Sequence, residues 1–458
     1  MRASTEVEKC GLPSVSLVCD SFAAQAQATA AGLGAGNLPL AAYPGPVNLH
    51  GIEEMQRNVV SVVVDQVVRA FTVQPKQVVA PGEPAPRDVV FKGTLDEVNS
   101  FYYDREWSDG LPVVPPTVDR VGRFLGFTDR GPEEVIGVLL PDSREATVWN
   151  VAVNGVMAGC RPEYMPVLLA IVSAMCDPKF GQEHLGHTPG AEVLITLNGP
   201  VIKDLGFNYE QGVLRVGFQA NTSIGRFWRL YMRNVAGFLP HKTDKATFGG
   251  TWRVVLAENE EAVARIGWQP MSVDQGFEAG ANVVTVSSCT SSDSMFAVGP
   301  ATAEEILNKL ATRVMHVNLW LFALSFYGPG IRPQVLLSPC VAELLARAGY
   351  SKNAVKEYLF NRARFPVRLF ETLRPDVGTV CDSVEQGALP ALYCESRDPD
   401  RMVPVVWSPD DFMITVSGDP GRDNCFICGQ NGFIGYPVSK RIELPAGWAQ
   451  RMKSRGRK

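Results

Sequence analysis

The run Asn424-Cys425-Phe426-Ile427-Cys428-Gly429-Gln430-Asn431-Gly432 places two cysteines two residues apart, a spacing that suits a disulfide-forming dithiol or a shared metal ion. Zinc would ask for a second such pair, or two histidines, to complete four ligands. No second CxxC exists in the chain. The pair follows a strand-like run, Phe412–Val416, and a loop, Ser417-Gly418-Asp419-Pro420-Gly421-Arg422. Loops after strands are where α/β proteins expose functional groups, so a redox dithiol, a metal pair and inert thiols all stay open.

Other residues invite chemistry. Cys160 precedes Arg161 and Pro162, and Pro suits the first turn of a helix. The thiol is therefore expected at a helix N-terminus, where N–H groups and Arg161 would lower its pKa. A buried structural cysteine is the alternative. Cys289, in Ser287-Ser288-Cys289-Thr290-Ser291-Ser292, is a further thiol after a strand. His184 and His187 are three residues apart beside Glu183, a spacing for two metal ligands on a helical turn, although Gly186 and Pro189 favour a surface loop. Asn221, Thr222 and Arg226 lie between strand-like Val213–Phe218 and helix-like Arg226–Val235. They read either as helix caps or as grips on an anionic substrate, with Arg226 bidentate on a carboxylate. Glu258-Asn259-Glu260 offers two carboxylates for proton transfer or cation binding, or a solvated charge run. Asn198-Gly199-Pro200 is a turn after a strand whose amide would line a cleft.

The elements that must position these residues belong to a folded protein. The chain has 458 residues, 46% hydrophobic, with net charge −5, enough for two or three domains. That charge argues against a nucleic-acid binder. The basic run Lys453–Lys458 reads as a solvated tail. No apolar run approaches the roughly 20 residues of a membrane span, and no signal-peptide core is present at Met1–Glu6. A cytoplasmic location is expected, with most of the ten cysteines reduced and buried.

The expected fold class is α/β: a small, incomplete N-terminal α/β unit linked to a larger mixed α/β region of one or two domains. Residues 1–75 hold a strand at 13–19, a helix at 22–31, a strand at 38–43 and an apolar-periodic helix at 52–71. Residues 76–94 read as an extended linker, in a stretch carrying Pro75, Pro81, Pro84 and Pro86. Residues 95–270 and 271–458 alternate helices with strands such as 192–197, 282–286, 334–337 and 412–416. No phosphate-binding glycine motif and no GxSxG elbow occurs.

The segments Ser108–Thr117, Asn154–Tyr164, Asn198–Pro200, Ala220–Arg226, Ala257–Glu260 and Arg362–Pro366 together resemble the long form of the UGSC (seleno)protein family, across most of residues 95–458. Residues 9–71 resemble the second half of the small UGSC domain, whose first half would carry a Sec-Gly-Ser-Cys or Cys-Gly-Ser-Cys motif. That motif is absent from this sequence. Degeneration, or a separate small subunit bearing the motif, would account for this. The second is favoured because half an α/β domain leaves a strand edge and a helix face uncovered. The resemblance implies thiol or selenol chemistry, and the Cys425/Cys428 pair departs from the family pattern, as a specialised member would.

The leading expectation is a thiol-dependent enzyme acting on a small polar substrate by dithiol redox or carbon–sulfur chemistry, the large subunit of a hetero-oligomer. Cys160 would be its nucleophile, Cys425 and Cys428 its exchangeable pair, Glu258 or Glu260 its proton-transfer group. Asn198, Asn221, Thr222, Arg226 and Asn259 would hold the substrate. One alternative is a metal-dependent hydrolase or lyase with a Cys/His-bound metal ion at His184 and His187. Another is a noncatalytic large subunit that positions a redox-active partner.

Overall fold

The computed structural model describes residues 1–72, 85, 87–252, 254–296, 301–324 and 330–454. Most of the expected Pro-rich linker, and the tail beyond 454, lie outside these residues. The fold is α/β, and its strands are β1 (Ser16–Cys19), β2 (Leu40–Tyr43), β3 (Val135–Leu139), β4 (Arg144–Thr147), β5 (Glu192–Asn198), β6 (Val255–Ala257), β7 (Val283–Phe296), β8 (Gln334–Leu337), β9 (Arg364–Pro366), β10 (Met402–Pro404), β11 (Met413–Val416), β12 (Asn424–Gln430) and β13 (Val438–Arg441).

The N-terminal unit is a parallel β1–β2 pair with a helix at Ala23–Gly32 and a second running from Ile52 to Thr72 through a π-turn at Val59–Val63. Val63 packs with Ala41 and Tyr43 of β2, and Met55 and Val67 support them. The unit docks on the rest of the chain through the helix Ala23–Gly32 and the turn Asp20–Phe22 before it: Gln25 Nε2 donates to Thr243 O at 3.0 Å, and Lys245 Nζ to Ser21 O at 2.7 Å. Gly32 makes the approach close enough that a Cβ there would meet Pro141 O at 2.0 Å.

A seven-stranded mixed sheet organises the remainder, in the order β11-β8-β12-β7-β5-β6, with β13 also on β7. β5 and β6 run parallel, as do β8 and β11. β7 and β12 pair antiparallel between them. Each half thus repeats one plan, a parallel pair followed by an antiparallel strand, and the sheet takes strands from both sides of the boundary expected at 270. Its two edges meet: Asn259 N–H donates to Val416 O at 2.8 Å and Ser417 Oγ to Ala257 O at 2.8 Å, so the sheet curls into a small barrel.

Strand alternation divides the side chains between the two faces. Outward, Val193, Ile195, Leu197, Val255 and Val284 join a core with the helices Val148–Met157, Met165–Met175 and Gln219–Tyr231. Val335, Leu337, Ile414, Val416 and Ile427 join a second core with the helices Ala303–Leu324, Pro339–Arg347 and Lys352–Arg362. Inward, Leu194, Leu256, Leu336, Cys289 and Cys428 fill the barrel. Gln334 Nε2 donates to Thr196 Oγ1 at 2.9 Å and to Thr415 Oγ1 at 2.8 Å, which pairs these three buried polar side chains with one another.

The expected strand at 213–218 is a series of turns, and the helix expected from Arg226 begins at Gln219. The structure replaces the loop expected around Cys425 with strand β12.

Candidate functional site

Strand geometry separates the CxxC cysteines. With side chains alternating along β12, residues three apart face opposite ways. Cys425 lies in the outer core with Ile427 and Val416; Cys428 points into the barrel with Leu194 and Leu336. They are 3% and 1% exposed. A disulfide or a shared metal between them is thereby excluded, which overturns the expectation of an exchangeable, loop-borne pair. Burial raises the Cys425 thiol above its ordinary pKa, helped by Cys340 and Asp423 nearby. Cys428 is instead hydrogen-bonded to Cys289 of β7, and that contact, with burial, holds its pKa well above the usual range. The thiol neighbour of Cys428 is Cys289.

The Cys160 surroundings differ from the expectation in a similar way. Cys160 precedes a 3-10 turn at Pro162–Tyr164, but it is buried, and loss of water pushes its pKa up to about 12 against the pull of Ser223 and Arg226. Burial outweighs the helix N-terminus. Arg226 is not open to a substrate: its Nε and Nη2 grip both oxygens of Asp109 at 3.1 and 2.8 Å, and Nη2 also donates to Leu111 O and Pro112 O. Asn221 is fully buried inside the helix, where its amide clamps both backbone groups of Asn208 and donates to Val255 O. Thr222 Oγ1 accepts from Gly217 N at 3.1 Å. These three residues fasten the scaffold. The start of their helix does open on a cleft of about 360 Å³, lined by Arg161, Tyr164, Lys203, Phe218 and Gln219, among others. None of Cys160, Asn221, Thr222 or Arg226 lines it.

The structure does bring Asn198, Glu258 and Glu260 together, at the ends of β5 and β6. Asn198 Nδ2 donates to Glu258 Oε2 at 2.6 Å and Glu260 Oε1 at 3.0 Å, and Gly199 N–H adds a 2.7 Å bond to Glu260. Gly199 has φ 98°, and a Cβ there would meet Ala281 O at 2.4 Å, so the turn requires glycine. Glu258 is 1% exposed and also accepts from Met271 N at 2.7 Å and Val416 N at 3.1 Å. Burial raises its pKa, opposed by Lys352 and these donors. Lys352 and Lys356 share Asp274 Oδ2, each at 3.1 Å. Glu258 therefore acts as a clasp on the barrel edges, out of reach of bulk substrate. Asn259 Oδ1 caps the following helix through Ala262 N at 3.0 Å, a structural role in place of substrate binding.

His187 and His184 lie on successive turns. Asn431 Oδ1 accepts from Phe433 N, so the Asn431 amide turns its Nδ2 to His187 Nε2, 2.8 Å away, and that ring nitrogen is an acceptor. Burial lowers the His187 pKa. With Nε2 so engaged and no group of three or more His, Cys, Asp or Glu placed to hold a metal among the described residues, the expected metal site is not assembled.

Two features were missed by the sequence reading. Cys381 and Cys394 form a disulfide, an exception to the expectation of reduced thiols. Cys19 ends β1, where the chain turns into Asp20–Phe22 and the helix after it. It is a free, partly exposed thiol, and it lines a cleft of about 450 Å³ with Val18, Phe22, Gln25, Thr29 and His184. A cysteine closing the first strand of an α/β unit was the available signal, hidden within a β-branched run.

Comparison with known proteins adds one relationship. The model of the UGSC family matches residues 1–73, so the N-terminal α/β unit is similar to that family. The match ends with this unit and does not extend to the barrel. No curated protein matches the sequence. Among the described residues, no helix is long and apolar enough to cross a membrane.

Proposed function

We propose that the chain is a thiol-dependent enzyme acting on a small polar substrate, by thiol–disulfide or carbon–sulfur chemistry, with its site where the UGSC-type unit meets the barrel. The observation that carries this reading is the position of Cys19, a free thiol inside the family-matched segment, at the C-terminal end of a parallel strand and on the wall of a cleft. Open α/β sheets bind ligands at such strand ends. The buried thiols Cys160, Cys425 and Cys428 are held in the protonated form, and the thiolate is the reactive species.

The reading includes a small partner subunit carrying a CGSC- or UGSC-type motif. Among the described residues the N-terminal sheet has two strands, and the helix from Ile52 to Thr72 exposes Ile52, Val60, Val64, Val68 and Phe71. Contiguous apolar surface of this kind marks an interaction site. Metabolite profiling with the purified protein tests the enzyme: a metabolite is consumed, and consumption stops after iodoacetamide treatment. Consumption that survives alkylation contradicts thiol dependence. Native mass spectrometry of the protein from its own cells tests the subunit, and a chain that carries no second, smaller polypeptide contradicts it.

A further inference from the structure

We infer that the helix from Ile52 to Thr72 is a self-association surface, on which a second copy of this chain packs its own helix antiparallel about a two-fold axis near Ser61. The inference goes beyond the proposed function and leaves its small subunit the edge of β1, where Leu17 is exposed. Met55, Val63 and Val67 turn inward to the core with Ala41 and Tyr43, and the unit meets the barrel elsewhere, through Gln25 and Ser21. The outward side of the helix is left open to water, with Val60 73% and Val68 54% exposed.

Two rows run along that side. Val60, Val64 and Val68 follow one another at four-residue spacing, with Ile52 and Phe71 towards the two ends. Beside them, at the same spacing, stand Glu53, Arg57, Ser61, Asp65 and Arg69, all exposed. In an unbroken α-helix, positions eight apart are turned by about 80°, but the π-turn Val59–Val63 spends more residues on one turn and takes up most of that rotation. Arg57 and Asp65 thereby share one side. Ser61 is the middle residue of the π-turn and of the charged row alike.

The order of charges selects the occupant. Along the row it runs negative, positive, neutral, negative, positive, so a copy turned end for end meets it with every charge opposed. Glu53 of one copy faces Arg69 of the other, and Arg57 faces Asp65, and the two-fold repeats both pairs. A slip of one helical turn sets Arg57 against Arg69, or Glu53 against Asp65, which fixes the register. The same axis brings Val60 of one copy beside Val64 of the other, an apolar seam flanked by charge, as in paired helices generally. Self-complementarity of this kind is what a two-fold contact requires. Among the described residues these four charged side chains form no ion pair with one another, so their charges remain available across the axis.

Sedimentation equilibrium of the purified full-length chain, with no other polypeptide present, tests the inference. A dimer that dissociates towards 49.9 kDa on dilution is expected. Arg57→Glu turns two of the ion pairs into like-charge contacts and is expected to raise the dissociation constant roughly 10-fold or more, and Val64→Asp to abolish the dimer. Arg57→Glu with Asp65→Arg exchanges the charges and should restore association. These positions are exposed, so native circular dichroism is expected throughout. A chain that stays monomeric at about 100 μM, above the μM range of weak interfaces, overturns the inference. So does a dimer that Arg57→Glu and Val64→Asp leave unchanged, or one that the charge exchange fails to restore. Hydrogen exchange that finds a smaller polypeptide covering this helix overturns it as well, while upholding the proposed subunit. Metabolite consumption that persists after alkylation removes the thiol reading and leaves this one standing.

Discussion

Cys425 and Cys428 are three residues apart on β12 and lie on its opposite faces, one in the outer helical core and the other beside Cys289 inside the barrel. A CxxC motif in a strand is two unrelated packing positions. In a loop or at a helix start the same four residues would bring the sulfurs together. The chemistry suggested by spacing thus depends on the element that carries it.

Additivity follows from that separation. Cys425→Ala and Cys428→Ala are expected to lower stability independently, with a coupling within about 0.5 kcal/mol, whereas Cys289→Ala and Cys428→Ala, which share a contact, are expected to couple by about 0.5 kcal/mol or more. Urea unfolding of the two double-mutant cycles measures both.

Glu258 joins the barrel edges by accepting from Val416 N while holding Met271 N and Asn198. Glu258→Ala leaves three buried donors without their acceptor and is expected to cost about 3–5 kcal/mol. Glu260→Ala, at a partly exposed position, is expected to cost about 1 kcal/mol. Denaturant midpoints separate the two.

Arg226 and Asp109 form a two-bond ion pair with side chains only 17% and 10% exposed. Removing one partner strands a charge, so Arg226→Ala is expected to destabilise the fold by about 3 kcal/mol, and Arg226→Ala with Asp109→Ala by less than the sum of the single changes. A substrate-gripping Arg226 would instead leave the thermal midpoint unchanged.

The Cys160 thiol has a folded-state pKa of about 12 against an ordinary 9.0. A group raised in the folded state contributes stability fully below the ordinary value and loses it as pH rises through the folded value. Stability is therefore expected to fall from pH 9 towards 12, by up to about 4 kcal/mol from this group at about 1.4 kcal/mol per unit. Cys160→Ala should flatten part of that slope, and Cys176, also raised to about 12 by burial, should supply a further part. Unfolding midpoints at pH 8.5, 9.5 and 10.5 provide the check.

The Cys381–Cys394 disulfide closes a loop with a sequence separation of 13, for which loop-closure entropy gives about 3 kcal/mol. Dithiothreitol should lower the thermal midpoint of the native chain and leave that of Cys381→Ala/Cys394→Ala unchanged.

Much of the helical framework was legible because apolar periodicity and caps are local. Leu95–Asp104 carries a Thr94–Glu97 capping box, and Val148–Met157 a Thr147–Asn150 box, local signals for where each helix starts. β12 was not legible, since Gly429 and Asn424 look like loop residues. Gly429 serves packing, for a Cβ there would meet Leu321 Cδ1 and Ser291 Oγ at 2.4 Å. Asn198 read as a turn amide and Glu258 and Glu260 as a separate carboxylate pair, and the burial of Glu258 depends on the meeting of β6 with β11, some 158 residues apart. No local pattern encodes that closure. Arg226 likewise looked available until the fold brought Asp109 to it from 117 residues away.

Cys10 and Cys19 of the N-terminal unit are open to solvent, whereas both cysteines of the CxxC motif are core. Pulsed iodoacetamide labelling of the native protein at pH 7, resolved cysteine by cysteine by mass mapping, tests this most directly. Cys19 and Cys10 should label while Cys425 and Cys428 stay protected until denaturant unfolds the barrel. Joint labelling of Cys425 and Cys428 in the native state, at a rate matching Cys19, would contradict it.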